Sequence, residues 1–101
     1  MDFEVAWTNS AQNALRAIVE HIDADNPAAA QRFAALVAER VSYLARHPHS
    51  GGIYVRRRGL EIREIVCGKY RVFYRVRPRL KRIELLAVWH GARQEPNLKR
   101  R

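Results

Sequence analysis

Tyr70-Arg71-Val72-Phe73-Tyr74-Arg75-Val76 decides the fold of this chain. Arg alternates with aromatic and β-branched residues, a period of two that belongs to a half-buried strand and not to a helix. A second apolar run, Leu60 to Val66, enters it through a turn at Cys67-Gly68-Lys69. A third, Lys81 to Trp89, leaves it through a turn at Arg77-Pro78-Arg79. Connections this short predict an antiparallel three-stranded meander.

Upstream the period changes. Phe3, Val5 and Trp7 alternate with Asp2, Glu4 and Ala6 as one short strand. Thr8 or Ser10 then offers an N-cap, and Ala11, Ala14, Leu15, Ile18, Val19 and Ile22 make one apolar helical stripe. Asp23-Ala24-Asp25-Asn26 interrupts it, and Asn26-Pro27 restarts a helix as cap and first-turn proline. Ala30, Phe33, Val37, Val41 and Leu44 carry the apolar stripe of that second helix. So short a link predicts an antiparallel helical hairpin. His47 to Gly52 reads as loop, and Arg56-Arg57-Arg58-Gly59 extends it. The fold class is therefore α+β in the order β-α-α-β-β-β, with the hairpin packed on one face of an antiparallel sheet. Residues 1–101 are expected to be a single domain, with a basic tail from about residue 95 to residue 101.

Charge is divided unevenly along the chain. Residues 1–55 hold 4 basic and 6 acidic side chains, whereas residues 56–101 hold 15 and 4, so the net +9 comes from the strand-rich half. A one-sign field on an ordered sheet points to an anionic partner. At 48% hydrophobic and 29% charged, the composition supports one modest core and is not that of a disordered chain. The apolar runs are far short of a bilayer span and the amino-terminal residues lack a secretory pattern, so no membrane partner and a cytoplasmic location are expected. Cys67 is the only cysteine, which excludes an internal disulfide or a cysteine-rich zinc site. His47 and His49 have no Cys or carboxylate at ligand spacing, and no glycine pattern fits a phosphate loop, so neither metal nor cofactor is expected.

Strand parity sorts the candidate functional residues. Tyr70, Val72, Tyr74 and Val76 should pack on the helices, leaving Arg71, Phe73, Arg75 and Arg77 on the other face. If Ile83, Leu85, Ala87 and Trp89 also face the helices, His90 emerges beside Arg71, Phe73 and Arg75. The facing of Arg63 and Glu64 stays open, because Leu60 to Val66 alternates imperfectly. Metal-free RNA cleavage needs an acid and a base with cations for the phosphorane charge. His90, with Arg71 and Arg63, has that chemistry, Glu64 is a candidate base, and Phe73 could stack a splayed base. The competing reading is a solvated face on which the same Arg residues pair with Glu61, Glu64 and Glu84.

Several pieces taken in order resemble the RelE/ParE superfamily of bacterial toxins. They are Trp7-Thr8, Asp25-Asn26-Pro27, Leu44 with Pro48 and Gly51, Ile62-Arg63-Glu64, Gly68 through Val76, and the closing His90-Gly91-Ala92-Arg93. The resemblance implies the toxin of a type II toxin–antitoxin, plasmid-stabilisation module, neutralised by a cognate antitoxin in a possible hetero-oligomer. It implies one of two targets. ParE-like members inhibit DNA gyrase without catalysis, and RelE-like members are ribosome-dependent endoribonucleases that cut mRNA. The long helical pair and the His90-Gly91-Ala92-Arg93 ending look more like ParE, which places Lys69, Arg71, Phe73, Arg75 and Arg93 as target-binding residues and leans away from an enzyme. In the RNase alternative, His90 and Arg71 match positions used catalytically. A non-toxic basic RNA-binding module is the third expectation.

Overall fold

Thr8 turns the first strand into the first helix. The structure, a computed structural model, describes residues 2–91; Arg93 and the basic tail lie outside the described residues. Strand β1 spans Glu4–Trp7 and helix α1 spans Asn9–Asp25. Thr8 sits in extended backbone, and its hydroxyl oxygen accepts the Ala11 N–H at 3.2 Å, which satisfies one of the free amides of the first turn. Asn26 ends α1 and begins α2 (Pro27–Arg46). Its N–H bonds the Ile22 carbonyl at 2.9 Å, its Oδ1 accepts the Ala29 N–H at 3.1 Å, and Pro27 takes the first turn. The start of α1 and the end of α2 both return to β1, where the Phe3 N–H bonds the Ala45 carbonyl at 2.8 Å. The helices therefore form the antiparallel hairpin expected.

Four strands follow: β2 (Gly52–Arg57), β3 (Leu60–Cys67), β4 (Tyr70–Arg77) and β5 (Arg82–His90). They pair antiparallel in sequence order, and β1 joins β5 in parallel with Val5 opposite Ile83, giving the order β1-β5-β4-β3-β2. The α+β plan with the hairpin on one sheet face stands. It gains a strand, because Arg56 and Arg57, expected in a loop, lie in β2 opposite Glu61 and Leu60. An edge strand tolerates such charges, since one side and one edge stay wet. The sheet is also mixed rather than wholly antiparallel, through the β1–β5 crossover.

The helix-side core joins Phe33, Val37 and Leu44 to Val72, Tyr74, Ile83 and Leu85. A second, smaller cluster lies on the far face, with Ile62 and Phe73 buried among Tyr54, Leu60, Leu86 and Trp89. One irregularity governs what each face carries. Phe73 stands opposite Ala87 but Tyr74 stands opposite Leu85, so Leu86 is an extra, bulged residue in β5. An inserted residue reverses which face every later side chain takes. Ile83 and Leu85 face the helices as expected, but beyond the bulge Val88 and His90 do so in place of Ala87 and Trp89. The Thr8 hydroxyl reaches the carbonyls on both sides of this bulge, Leu85 at 2.8 Å and Leu86 at 3.3 Å.

Candidate target-binding surface

On the face away from the helices, Arg71 stands opposite Trp89 in register. Its guanidinium carbon lies 5.2 Å from the Phe73 ring centroid, in cation–π range, and Nη1 approaches Glu64 Oε1 at 3.3 Å. Glu64 pairs with Phe73 in register and so belongs to this face, a position the sequence left open. Arg75 follows on the same face opposite Glu84 and reaches the Gly59 carbonyl at 3.5 Å. Phe73 is the exception among the expected binding residues. It is 0% exposed, held edge-on by Tyr54 at 4.7 Å between centroids. Phe73 is thus the centre of the far-face cluster and not a ring presented for stacking, because the sheet twist and the Tyr54 bulge in β2 bring apolar side chains over it.

Arg63 takes the helix side, opposite Tyr74. Nη1 donates to the carbonyls of Gly51 at 2.7 Å and His49 at 3.0 Å, while Nε pairs with Glu61 at 3.0 Å. It ties down the α2–β2 loop together with Tyr74, whose hydroxyl accepts the Gly51 N–H at 2.9 Å and donates to the Pro48 carbonyl at 2.9 Å. Burial pushes the Tyr74 phenol above its ordinary pKa. A hydrogen bond from Arg56, the largest influence, holds the Glu61 carboxyl below the usual carboxylate value.

His90 also takes the helix side. Its ring meets Tyr70 at 5.1 Å in an edge-on contact, and a groove between β5 and α1 is lined by His90, Tyr70, His21, Ala14, Ala17 and Ile18. Lys69 is exposed in the turn before β4, lines the neighbouring hollow with His21 and His90, and accepts the Gly91 N–H on its carbonyl at 2.8 Å. The grouping expected from parity is therefore not assembled. Arg71, Arg75 and Glu64 share one face, whereas His90 and Arg63 lie on the other, and the Leu86 bulge is the reason for His90. His21 was not singled out in the sequence; it continues the Ala14, Ile18 stripe at helical spacing, but nothing local reveals that a strand-end His meets it. Cys67 is 0% exposed and its thiol is pushed up by burial, which suits an inert core residue. Among the described residues no group of three His, Cys, Asp or Glu gathers as a metal site. No described helix is long and apolar enough to cross a membrane.

This fold, a helical hairpin on a five-stranded sheet with the first strand paired in parallel to the last, is shared with solved structures of toxin–antitoxin complexes. The chain belongs to the ParE toxin family of type II toxin–antitoxin systems, parDE, whose family model matches residues 5–95. Solved structures agree in fold. The RelBE2 toxin–antitoxin complex of Mycobacterium tuberculosis is similar at 24% identity and TM-score 0.63, over 89% of this chain and 99% of that one. The chromosomal ParDE system of P. aeruginosa is similar at 22% identity and TM-score 0.70, over 87% and 95%. The archaeal RelE–RelB complex of Pyrococcus horikoshii is similar at 21% identity and TM-score 0.58, over 93% and 100%. No curated protein sequence matches the chain.

Proposed function

We propose that this toxin acts on DNA gyrase by binding rather than by catalysis, and that a cognate antitoxin holds it inactive. The observation that carries the non-enzymatic reading is the Leu86 bulge. It turns His90 away from Arg71 and Arg75, so the acid or base expected of that imidazole is not beside those two guanidinium groups. General acid–base cleavage of a phosphodiester needs both within hydrogen-bond reach of one phosphate. A binding surface has no such requirement. Lys69, Arg71 and Arg75, with Arg93 beyond the described residues, then serve as contacts. The antitoxin's amphipathic segment lies in the α1–β5 groove beside Ala14, Ala17 and Ile18, or along the outer edge of β2. Folding of that segment on contact makes the pair a hetero-oligomer.

The test is direct. Purified toxin is expected to block gyrase supercoiling or trap cleaved DNA, and His90→Ala should leave that inhibition unchanged. Untouched supercoiling together with cleavage of mRNA in translating ribosomes would replace this reading with the RNase one. One observation supports that alternative at a different place: His21, His90, Tyr70 and Lys69 border adjoining hollows on the helix side. In that case His90→Ala and His21→Ala each abolish cleavage, and Arg71→Ala does not.

A further inference from the structure

The sheet has a free edge that its strand order does not announce. β1 pairs with β5 only over Arg82–Leu85, and Thr8 then turns the chain into α1. The rest of β5, Leu86–His90, has β4 on one side and, among the described residues, no strand on the other.

The register decides which backbone groups look out of that edge. The Gly91 N–H bonds the Lys69 carbonyl at 2.8 Å, one residue beyond the Tyr70–His90 pair. Hydrogen-bonded and non-bonded pairs alternate along an antiparallel ladder. Arg71–Trp89 and Phe73–Ala87 are therefore bonded pairs, and Val72–Val88 is not. Across the bulge the same alternation leaves Tyr74–Leu85 non-bonded, and the Leu85 carbonyl does point outward, where it accepts the Thr8 N–H at 3.1 Å. The Val88 N–H and carbonyl thus turn away from β4, toward the groove that Val88 lines with α1.

That groove limits what can meet them. It is a hollow of about 320 Å³, walled on the α1 side by Ala14, Ala17 and Ile18. A helix, about 10 Å across, is too wide for it and satisfies its own amides, so those of Val88 would stay unmet. A second copy of this chain would have to bring a whole sheet to the edge, and α1, packed along β5, stands in the way. One extended segment fits, because strands pair about 4.8 Å apart and small side chains on α1 leave room above it.

The geometry points to strand addition: an extended segment of the antitoxin pairs with Val88 on the outer edge of β5, in line with β1 and beside α1. Every second residue of that segment is apolar and faces Ala14, Ala17 and Ile18. The residues between are polar, with acidic ones favoured by the net charge of +9. Strand addition here rests on the antitoxin reading above. It selects the α1–β5 groove over the edge of β2 and fixes the backbone conformation of the occupant.

Amide hydrogen exchange read by NMR tests it, on the full chain alone and in complex with the product of the reading frame neighbouring its gene. In the toxin alone the Val88 N–H should exchange faster than those of Ala87 and Trp89. In the complex it should slow by about tenfold or more. Amides in the contacting segment of the partner should be protected at every second position. Ala17→Arg, at an exposed position in the groove, should weaken the complex by about tenfold or more with the thermal melt unchanged. Ile53→Lys, on the edge of β2, should leave it as tight as before. A Val88 N–H already slow in the toxin alone, or unaltered in a formed complex, overturns strand addition and leaves the antitoxin reading standing. So does protection at consecutive partner amides, which marks a helix, or a loss from Ile53→Lys and not from Ala17→Arg. Failure to form any complex overturns both.

Discussion

Replacing Tyr74 by Phe removes one oxygen from the junction between the helical layer and the sheet. The ring keeps its packing, since Tyr74 is 0% exposed and phenylalanine has the same shape. Two hydrogen bonds of 2.9 Å are lost, the one accepted from the Gly51 N–H and the one donated to the Pro48 carbonyl. Gly51 is buried, so its N–H has no access to water and bears the full cost of an unmet donor, about 1–3 kcal/mol. Pro48 is half-buried and its carbonyl rehydrates, adding little. The expected loss is about 2 kcal/mol, which for a domain of this size lowers Tm by about 8–16 °C. Urea denaturation followed by circular dichroism should show the midpoint falling with an unchanged slope. Burial raises the folded-state pKa of the phenol. Wild-type stability from this group is therefore complete below the unfolded value, about 10, and drains away as pH rises through the folded value. The gap between wild type and Tyr74→Phe should narrow in alkali. A loss under about 0.5 kcal/mol, or a gap that widens above pH 10, refutes the account of Tyr74 as the anchor of the α2–β2 loop.

Three further outcomes follow from the same packing. Phe73→Ala should cost about 3–5 kcal/mol in a denaturation experiment, as a core ring does, although it lies on the face without helices. Thr8→Val removes the cap of α1 and the hydroxyl bond to Leu85 and should cost about 1–2 kcal/mol by the same measurement, while Thr8→Ser recovers most of it. Cys67 should resist thiol reagents in the native protein and react only at the rate of unfolding, because burial disfavours its thiolate; rapid labelling under native conditions would contradict its place in the core.

The helical hairpin was legible because its signals are local. Asn26 and Pro27 both act within a turn of their own positions, and the apolar stripes need only a period. The β3–β4–β5 meander was legible for the same reason, with turns at Gly68 and Pro78. What escaped depends on partners far away in sequence. The Leu86 bulge follows from how β5 must meet both β4 and Thr8, 78 residues earlier, and no motif marks it. That single residue moved His90 out of the expected cluster. Arg63 escaped because, besides Glu61, its partners are the His49 and Gly51 loop carbonyls, which no side-chain pattern reveals. Phe73 was assigned to the correct face, but its burial depends on Tyr54 from a strand hidden among Gly and Arg residues.

The parallel pairing of β1 with β5 has a bearing on how the molecule comes into being. The first strand and the cap of α1 depend on Leu85, 77 residues downstream of Thr8. Loop closure over such a span must be met before its contacts can repay it. A growing chain therefore has its hairpin early but lacks a seat for its first strand until the last has been made. Any product stopped before Arg82 leaves β1 without a neighbour and exposes the apolar side of α1, which packs on β5. Such fragments should be unfolded and open to proteolysis, so a cell making this protein meets it as a whole molecule or as none.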